Sequence, residues 1–159
     1  MKKTVLTVWL FLFTAVLMAG GNIAPVEDVP NACYADKTYI QKDLNLMWQD
    51  QKYVDAEDGA YANERSTAKA GKWKHAAKYC RRLSYAGYSD WRLPTSDELS
   101  AVHRLDGQVF RYSRDKDFWS STPTTEGKYY VVYPADAYPF KRSKNQSNYV
   151  RCVRCIGDN

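Results

Sequence analysis

Four cysteines, two histidines and a dense run of basic residues are the groups in this chain whose types and spacing could do chemistry. Cys33, Cys80, Cys152 and Cys155 make an even set, and in an exported chain an even set reads as two disulfides. Cys152-x-x-Cys155 has the spacing of a redox pair. Thioredoxin-like pairs, however, open a helix that stabilises the thiolate, and this one lies in a strand-like run. On a strand an odd separation sends the two side chains to opposite faces, so a mutual bond would require the chain to leave the strand. Cys80 shares an apolar helix face with Trp73, Ala76, Ala77 and Leu83, and Cys152 turns inward with Val150. Cys80 is therefore paired with Cys152, and Cys33 with Cys155. The first bridge closes a loop of about 72 residues, worth roughly 4 kcal/mol on the chain-entropy account. With the cysteines so engaged, none is free to join His75 and His103, and neither a closed zinc site nor any other cofactor is expected. Asp55, Glu57 and Asp58 before Gly59 offer oxygens that suit calcium, but the spacing is not that of an EF-hand and the stretch reads as a solvated acidic loop.

The basic residues are unevenly placed. No acid occurs between Arg65 and Asp90, while Lys69, Lys72, Lys74, Lys78, Arg81 and Arg82 accumulate there. At helical spacing Lys74, Lys78, Arg81 and Arg82 share the outer side. Lys141, Arg142, Lys144, Arg151 and Arg154 form a second cluster near the C-terminus. If the two meet, they make a field favourable to a polyanion such as a sulfated polysaccharide or lipopolysaccharide. The candidate ligand-binding residues are thus Lys74, Lys78, Arg81, Arg82, Lys141, Arg142 and Lys144, and the competing reading is an ordinary solvated surface. Nucleic acid is set aside, because the chain reads as exported and carries no nucleic-acid motif.

These groups must be positioned by short elements. The periodicity from Trp73 to Leu83 predicts a helix that begins near Ser66 or Thr67 and ends at Gly87. Pro94 forces its predecessor into extended geometry, and Thr95-x-x-Glu98 is a capping box that opens a second helix from Ser96 to about Arg104. That helix presents Leu99, Val102 and Leu105 to a core. Tyr39 to Trp48 predicts two strands around Lys42-Asp43, and Asp50 to Ala68 reads as an exposed loop. Phe118 to Thr122 and Lys128 to Tyr133 predict neighbouring strands around Gly127. Tyr138 to Lys141 and Tyr149 to Cys155 predict a terminal hairpin. In its last strand Val150 and Cys152 face one way, and Tyr149, Arg151 and Val153 the other.

Met1 to Gly21 has two lysines, an apolar run from Val5 to Met18 and then Ala19-Gly20-Gly21, the pattern of a cleaved secretory signal. The run is shorter than the about 20 residues a spanning helix needs, so no membrane span is expected after processing. Removing Lys2 and Lys3 lowers the formal charge from +5 to about +3. Residues 22–32, with Pro25 and Pro30, read as a flexible leader, and 33–159 as one domain with one core.

Several short motifs, in one order, carry a resemblance. They are Leu46-Met47-Trp48-Gln49, Ala77-x-x-Cys80-x-x-Leu83, Ser89 to Thr95 with Glu98-Leu99, Phe118 to Thr122, and Tyr149 to Arg154. Together they resemble the Lcl C-terminal domain family, a relative of C-type-lectin-like and formylglycine-generating-enzyme-like folds. The resemblance implies an α+β, C-type-lectin-like mixed fold, two helices flanking short antiparallel strands, stapled by disulfides. It implies a shared cysteine pair to which Cys33 and Cys155 are an addition, and core roles for Trp48, Trp91 and Trp119. The adhesin that names the family binds sulfated glycans and supplies no catalytic residue to carry over. This chain lacks its collagen-like repeat, and no Glu-Pro-Asn or Gln-Pro-Asp triplet marks calcium-dependent sugar binding.

The expected function is an exported, non-enzymatic binding module for an anionic glycan or an envelope protein, periplasmic, secreted or at the cell surface. The alternatives are a thiol-disulfide or formylglycine-type oxidoreductase using Cys152 and Cys155, and a purely structural envelope domain. Oligomeric state is left open. Mass spectrometry of the exported protein is expected to find its N-terminus between Gly20 and Ile23; an intact Met1 in purified membranes would refute the cleaved leader.

Overall fold

The computed structural model describes residues 37–157. The signal sequence, the leader and Cys33 lie outside them. Along the chain run β1 (Thr38–Gln41), a 3-10 turn (Lys42–Leu44), β2 (Leu46–Gln49), α1 (Asp55–Ala62), β3 (Ala70–Gly71), α2 (Trp73–Arg82) and α3 (Ser96–His103). Then follow β4 (Phe118–Pro123), β5 (Tyr129–Tyr133), β6 (Tyr138–Arg142), β7 (Asn148–Tyr149) and β8 (Val153–Cys155). The fold is mixed α+β, with two sheets ordered β1-β2-β8 and β3-β7-β4-β5-β6. The first sheet joins the two ends of the described chain.

The anticipated β1-β2 pair forms, with Ile40 opposite Met47. α3 begins as its capping box requires: Thr95 Oγ1 accepts from the Glu98 N–H at 3.1 Å, and Glu98 accepts from the Thr95 N–H at 2.8 Å. Leu99 and Val102 are buried, as are Trp48, Trp91 and Trp119, the tryptophans expected in the core.

Three helices occur rather than two, because the acidic stretch from Asp50 to Ala68 is not all loop. α1 has valine at its N-cap, so no Ser, Thr, Asp or Asn announces it, and Gly59 dilutes its periodicity. It is held instead by Glu57, whose carboxylate accepts from the Val54 N–H at 2.9 Å and from the Lys69 N–H and Nζ at 3.0 and 2.8 Å. Glu57 and Lys69 are both buried, as a satisfied pair can be. α2 likewise starts later than Ser66, at Trp73, because its first donors find tertiary partners. Ser66 Oγ accepts from the Lys72 N–H, and the Lys144 carbonyl from the Trp73 N–H. Gly71 makes this turn possible: a Cβ there would lie 2.6 Å from Ser66 Oγ and 2.8 Å from His75 Cδ2. α2 also ends earlier, at Arg82, and Gly87 serves a two-residue turn with Ala86, both at positive φ, closed by paired Tyr85 and Tyr88 bonds.

The terminal hairpin does not form. β6 pairs with β5, β7 lies between β3 and β4, and β8 crosses to the other sheet beside β2. Residues 148–155 are thus a spine that passes from one sheet to the other, and the predicted alternation survives this change of partners. Tyr149 and Val153 join one core cluster with Trp48, Leu99 and Phe118, while Val150 and Cys152 join a second with Cys80, Trp91 and Trp119. The disulfide Cys80–Cys152, with a Cα–Cα distance of 5.4 Å, ties α2 to this spine. Cys155 is exposed and has no disulfide partner among the described residues.

Arg151, read from the sequence as part of a surface cluster, is 1 % exposed. Its Nη1 donates to the Gln49 carbonyl at 2.7 Å and to Asp50 at 3.3 Å, its Nη2 donates to the Tyr112 carbonyl, and its head lies 3.7 Å from the Phe110 ring centroid. Replacing it by methionine strands the buried Asp50 carboxylate, so Arg151→Met is expected to lower unfolding stability by about 3–5 kcal/mol, read by denaturant titration. Arg81→Gln on the exposed face is expected to change it by less than about 0.5 kcal/mol.

Candidate functional site

Cations sort into two populations once their partners are counted. Lys141 reaches Glu126 at 3.4 Å, Arg142 reaches Asp117 at 2.8 Å, and Arg154 reaches Asp90 at 2.7 Å while lying 3.9 Å from the Tyr88 ring centroid. Arg92 is held by Glu98 through two bonds of 2.8 and 2.6 Å, and Arg114 by Asp58 through two of 2.9 Å. Lys74, Lys78, Arg81 and Arg82 are different. They are exposed, and none has a carboxylate partner among the described residues.

The elements explain this placement. Trp73, Ala76 and Cys80 fix the inner side of α2: Ala76 and Cys80 are buried, and Trp73 stacks on Tyr129 with centroids 3.7 Å apart and donates from Nε1 to the Ser120 carbonyl at 3.0 Å. Lys74, Lys78 and Arg82 therefore follow one another at i, i+4 and i+8 on the side left to solvent. Arg81 and Arg82 occupy the last turn, where the helix dipole favours positive charge. Lys144 is exposed at the other end, its carbonyl bonded to the Trp73 N–H at 3.1 Å. The structure thus brings Lys144 to the helix carrying Lys74, Lys78, Arg81 and Arg82. It turns Lys141 and Arg142 to acids, and withdraws Arg151 into the core and Lys69 into a buried pair.

Sequence reading missed the acids that neutralise the second cluster. Arg142 and Asp117 stand 25 positions apart and Arg154 and Asp90 stand 64 apart, so no local spacing could have paired them. The profile of the Lcl C-terminal domain matches residues 37–154. The chain belongs to the Lcl C-terminal domain family. No curated protein matches it.

In this Lcl C-terminal domain the described cysteines are one bonded pair and one free thiol. Cys152 is buried and bonded to Cys80, and Cys155 lies one strand position beyond Arg154, with Arg92 Nη2 3.7 Å from its Sγ. Among the described residues no three of His, Cys, Asp and Glu gather as a metal could require. His75 Nε2 lies 3.0 Å from the Ala68 carbonyl, which braces the turn before α2. No helix among the described residues is long and apolar enough to cross a membrane.

His103 lines a cavity of about 520 Å³ with Phe110, Ser113, Arg114, Asp115 and Pro134. Burial, and after it the charge of Arg151, pushes its imidazole down to about 4 from the ordinary 6.5. The folded state therefore holds His103 neutral where the unfolded chain would protonate it. Its contribution is complete above pH 6.5 and is lost as pH falls toward 4, by roughly 3 kcal/mol in all. Asp58 and Asp90, held below the usual carboxylate range by hydrogen bonds from Arg114 and Arg154, lose their contributions only at lower pH. Glu98 behaves likewise, burial raising it but the bonds from Arg92 and Thr95 prevailing. Denaturant titrations between pH 6.5 and 4.5 are expected to show wild-type stability falling and the His103→Gln variant much flatter; equal slopes would refute the assignment.

Proposed function

We propose that the chain is an exported, non-enzymatic binding module, on a C-type-lectin-like scaffold, whose α2 face engages an anionic glycan or an acidic envelope protein. The observation that carries this reading is the density of exposed cations without a carboxylate partner, Lys74, Lys78, Arg81 and Arg82, on one helix, whereas others of that kind, such as Lys42, Lys52, Arg65, Arg104 and Lys116, lie apart from one another in the sequence. Such a set has a local cost. Lys74 with Lys78, and Lys78 with Arg82, are like charges at i,i+4, each destabilising a helix by about 0.2–0.5 kcal/mol. α2 has no acid in its first turn to offset them. The helix persists because the disulfide and the Trp73 contacts hold it, and retaining charges that oppose local stability agrees with a binding role. An extracytoplasmic setting agrees with the disulfide and with the leader pattern at Met1 to Gly21.

Electrostatic attachment makes two demands. Affinity must fall with salt, because the screening length shortens from about 10 Å at 0.1 M to about 3 Å at 1 M. Removing the charges must weaken binding without harming the fold, because exposed charges contribute little to stability. The Lys74→Gln, Lys78→Gln, Arg82→Gln triple variant is therefore expected to lose retention on a sulfated-glycan or lipopolysaccharide array while its melting temperature stays unchanged or rises slightly. Unchanged binding by the triple variant, or salt-insensitive retention of the wild type, would refute the basic-face mechanism.

A further inference from the structure

Among the described residues three buried side-chain nitrogens lack a hydrogen-bond partner, Arg151 Nε, His103 Nε2 and Asn148 Nδ2, and the last of them lies on β7 at a cavity. Asn148 is 4 % exposed, its Nδ2 is buried without a hydrogen-bond partner, and it lines a cavity of about 270 Å³. A buried amide left unmatched costs about 1–3 kcal/mol, and in native proteins such a group calls for an explanation, an ordered water, an ion or a ligand among them. A single water occupies about 30 Å³ of liquid volume. The space is therefore several times larger than one water needs, and falls just below the range of pockets for drug-sized ligands.

Its walls come from segments far apart in the sequence and are fixed by other contacts. Tyr61 of α1 is stacked on Tyr149 at 4.9 Å with planes 17° apart. Glu64, just past α1, accepts from the Ser147 N–H at 2.5 Å. Asp117, immediately before β4, accepts from Arg142 Nε at 2.8 Å, and its backbone carbonyl accepts from the Tyr149 N–H at 3.0 Å. Asn148 itself is held by its strand, opposite Gly71 of β3. Only its amide lacks an engagement.

We infer that this cavity is a binding site for one uncharged, polyhydroxylated ring, a single neutral monosaccharide unit. The chemistry of the walls selects it. Asn148 presents a donor and an acceptor in one plane, Asp117 keeps lone pairs beyond those Arg142 uses, and Arg142 keeps donors beyond those Asp117 uses. Alternating donors and acceptors match vicinal hydroxyls, each of which donates once and accepts twice. Tyr61 adds an aromatic surface suited to the apolar C–H face of a ring. Asp117 and Arg142 offset one another, which leaves the Glu64 charge uncompensated and disfavours sulfate or carboxylate. The ligand is thus uncharged where one held by α2 is anionic, and the two sites are separately testable.

The experiment is a titration of the 15N-labelled mature protein with galactose, glucose, mannose and N-acetylglucosamine, and with glucuronate as the anionic control, at low and high salt. The expected result is saturable millimolar shifts of backbone amides in 61–64 and 146–148 with at least one neutral sugar, unaltered by salt and absent with glucuronate. Asn148→Ala removes no hydrogen bond present in the free protein, so it is expected to keep its melting temperature and bind about tenfold more weakly or worse. Should that variant not fold, Asn148→Ser carries the same readout. No shifts with any neutral sugar, meaning a water-filled space only, would overturn the inference. So would binding that survives substitution of Asn148, that fades with salt, or that glucuronate shares. Loss of glycan retention by the α2 triple variant with these shifts intact separates the two sites.

Discussion

The buried Arg151–Asp50 pair is the interaction on which the rest of the structure depends. A guanidinium withdrawn from water needs partners for its charge and its donors, and here those of Nη1 and Nη2 bring three separate segments together, while Nε is left without one. Asp50 follows β2, Tyr112 lies in the long connection after α3, and Arg151 sits at the centre of the spine. Asp50 in turn accepts from the N–H groups of Arg111 and Tyr112 at 2.7 and 3.0 Å. A connection with no regular elements of its own is thereby given fixed backbone partners. Phe110, at 3.7 Å, closes the apolar side of the same guanidinium, and His103 packs against Phe110 with ring centroids 5.7 Å apart. His103 is kept neutral first by its burial and then by the charge of Arg151.

The spine carries this pair and also divides the core. Because successive strand residues point to opposite sides, one eight-residue segment supplies side chains to both apolar clusters, with Arg151 between Val150 and Cys152, which face the other way. Cys152 then fastens α2 to it. The loop so closed is 72 residues long, which restricts the unfolded chain strongly, and the bond acts directly beneath the exposed cations of α2. A helix burdened with like charges is thus anchored at its one buried cysteine and at the stacked Trp73. Packing and covalent linkage, rather than helix propensity, keep it formed.

Charge in this protein is organised by pairing rather than by amount. A modest positive excess would be unremarkable if spread evenly. Ion pairs instead neutralise Arg92, Arg114, Arg142, Arg151 and Arg154, so that none of them adds to the run of four unpaired cations on α2. The surface around Asn148 is the converse, with an acid left over. The two faces of one small domain therefore differ in local charge, which net charge does not reveal.

What the sequence by itself determined was whatever depends on neighbours a few positions apart. The α3 capping box at Thr95 and Glu98 and the strand pair around Lys42-Asp43 were legible, as was the alternation of Tyr149 to Val153, because local spacing fixes which face a side chain takes. Cys80 and Cys152 could be paired for the same reason. The burial of Trp48, Trp91 and Trp119 was legible through the family resemblance. The resemblance to the Lcl C-terminal domain family was legible as well, since it rests on the order of short motifs. α1 and the true start of α2 were not, because their terminal donors are satisfied by Glu57, Ser66 and Lys144 through contacts that no capping residue announces. Only the tertiary structure decided that the last strands part company, and which of the cations near the C-terminus remain available. Arg142 and Arg154 look in sequence like Lys74 and Lys78. Their acids are brought to them by chain crossings that leave no trace in spacing, and the desolvation of Arg151 is set by three segments meeting around it.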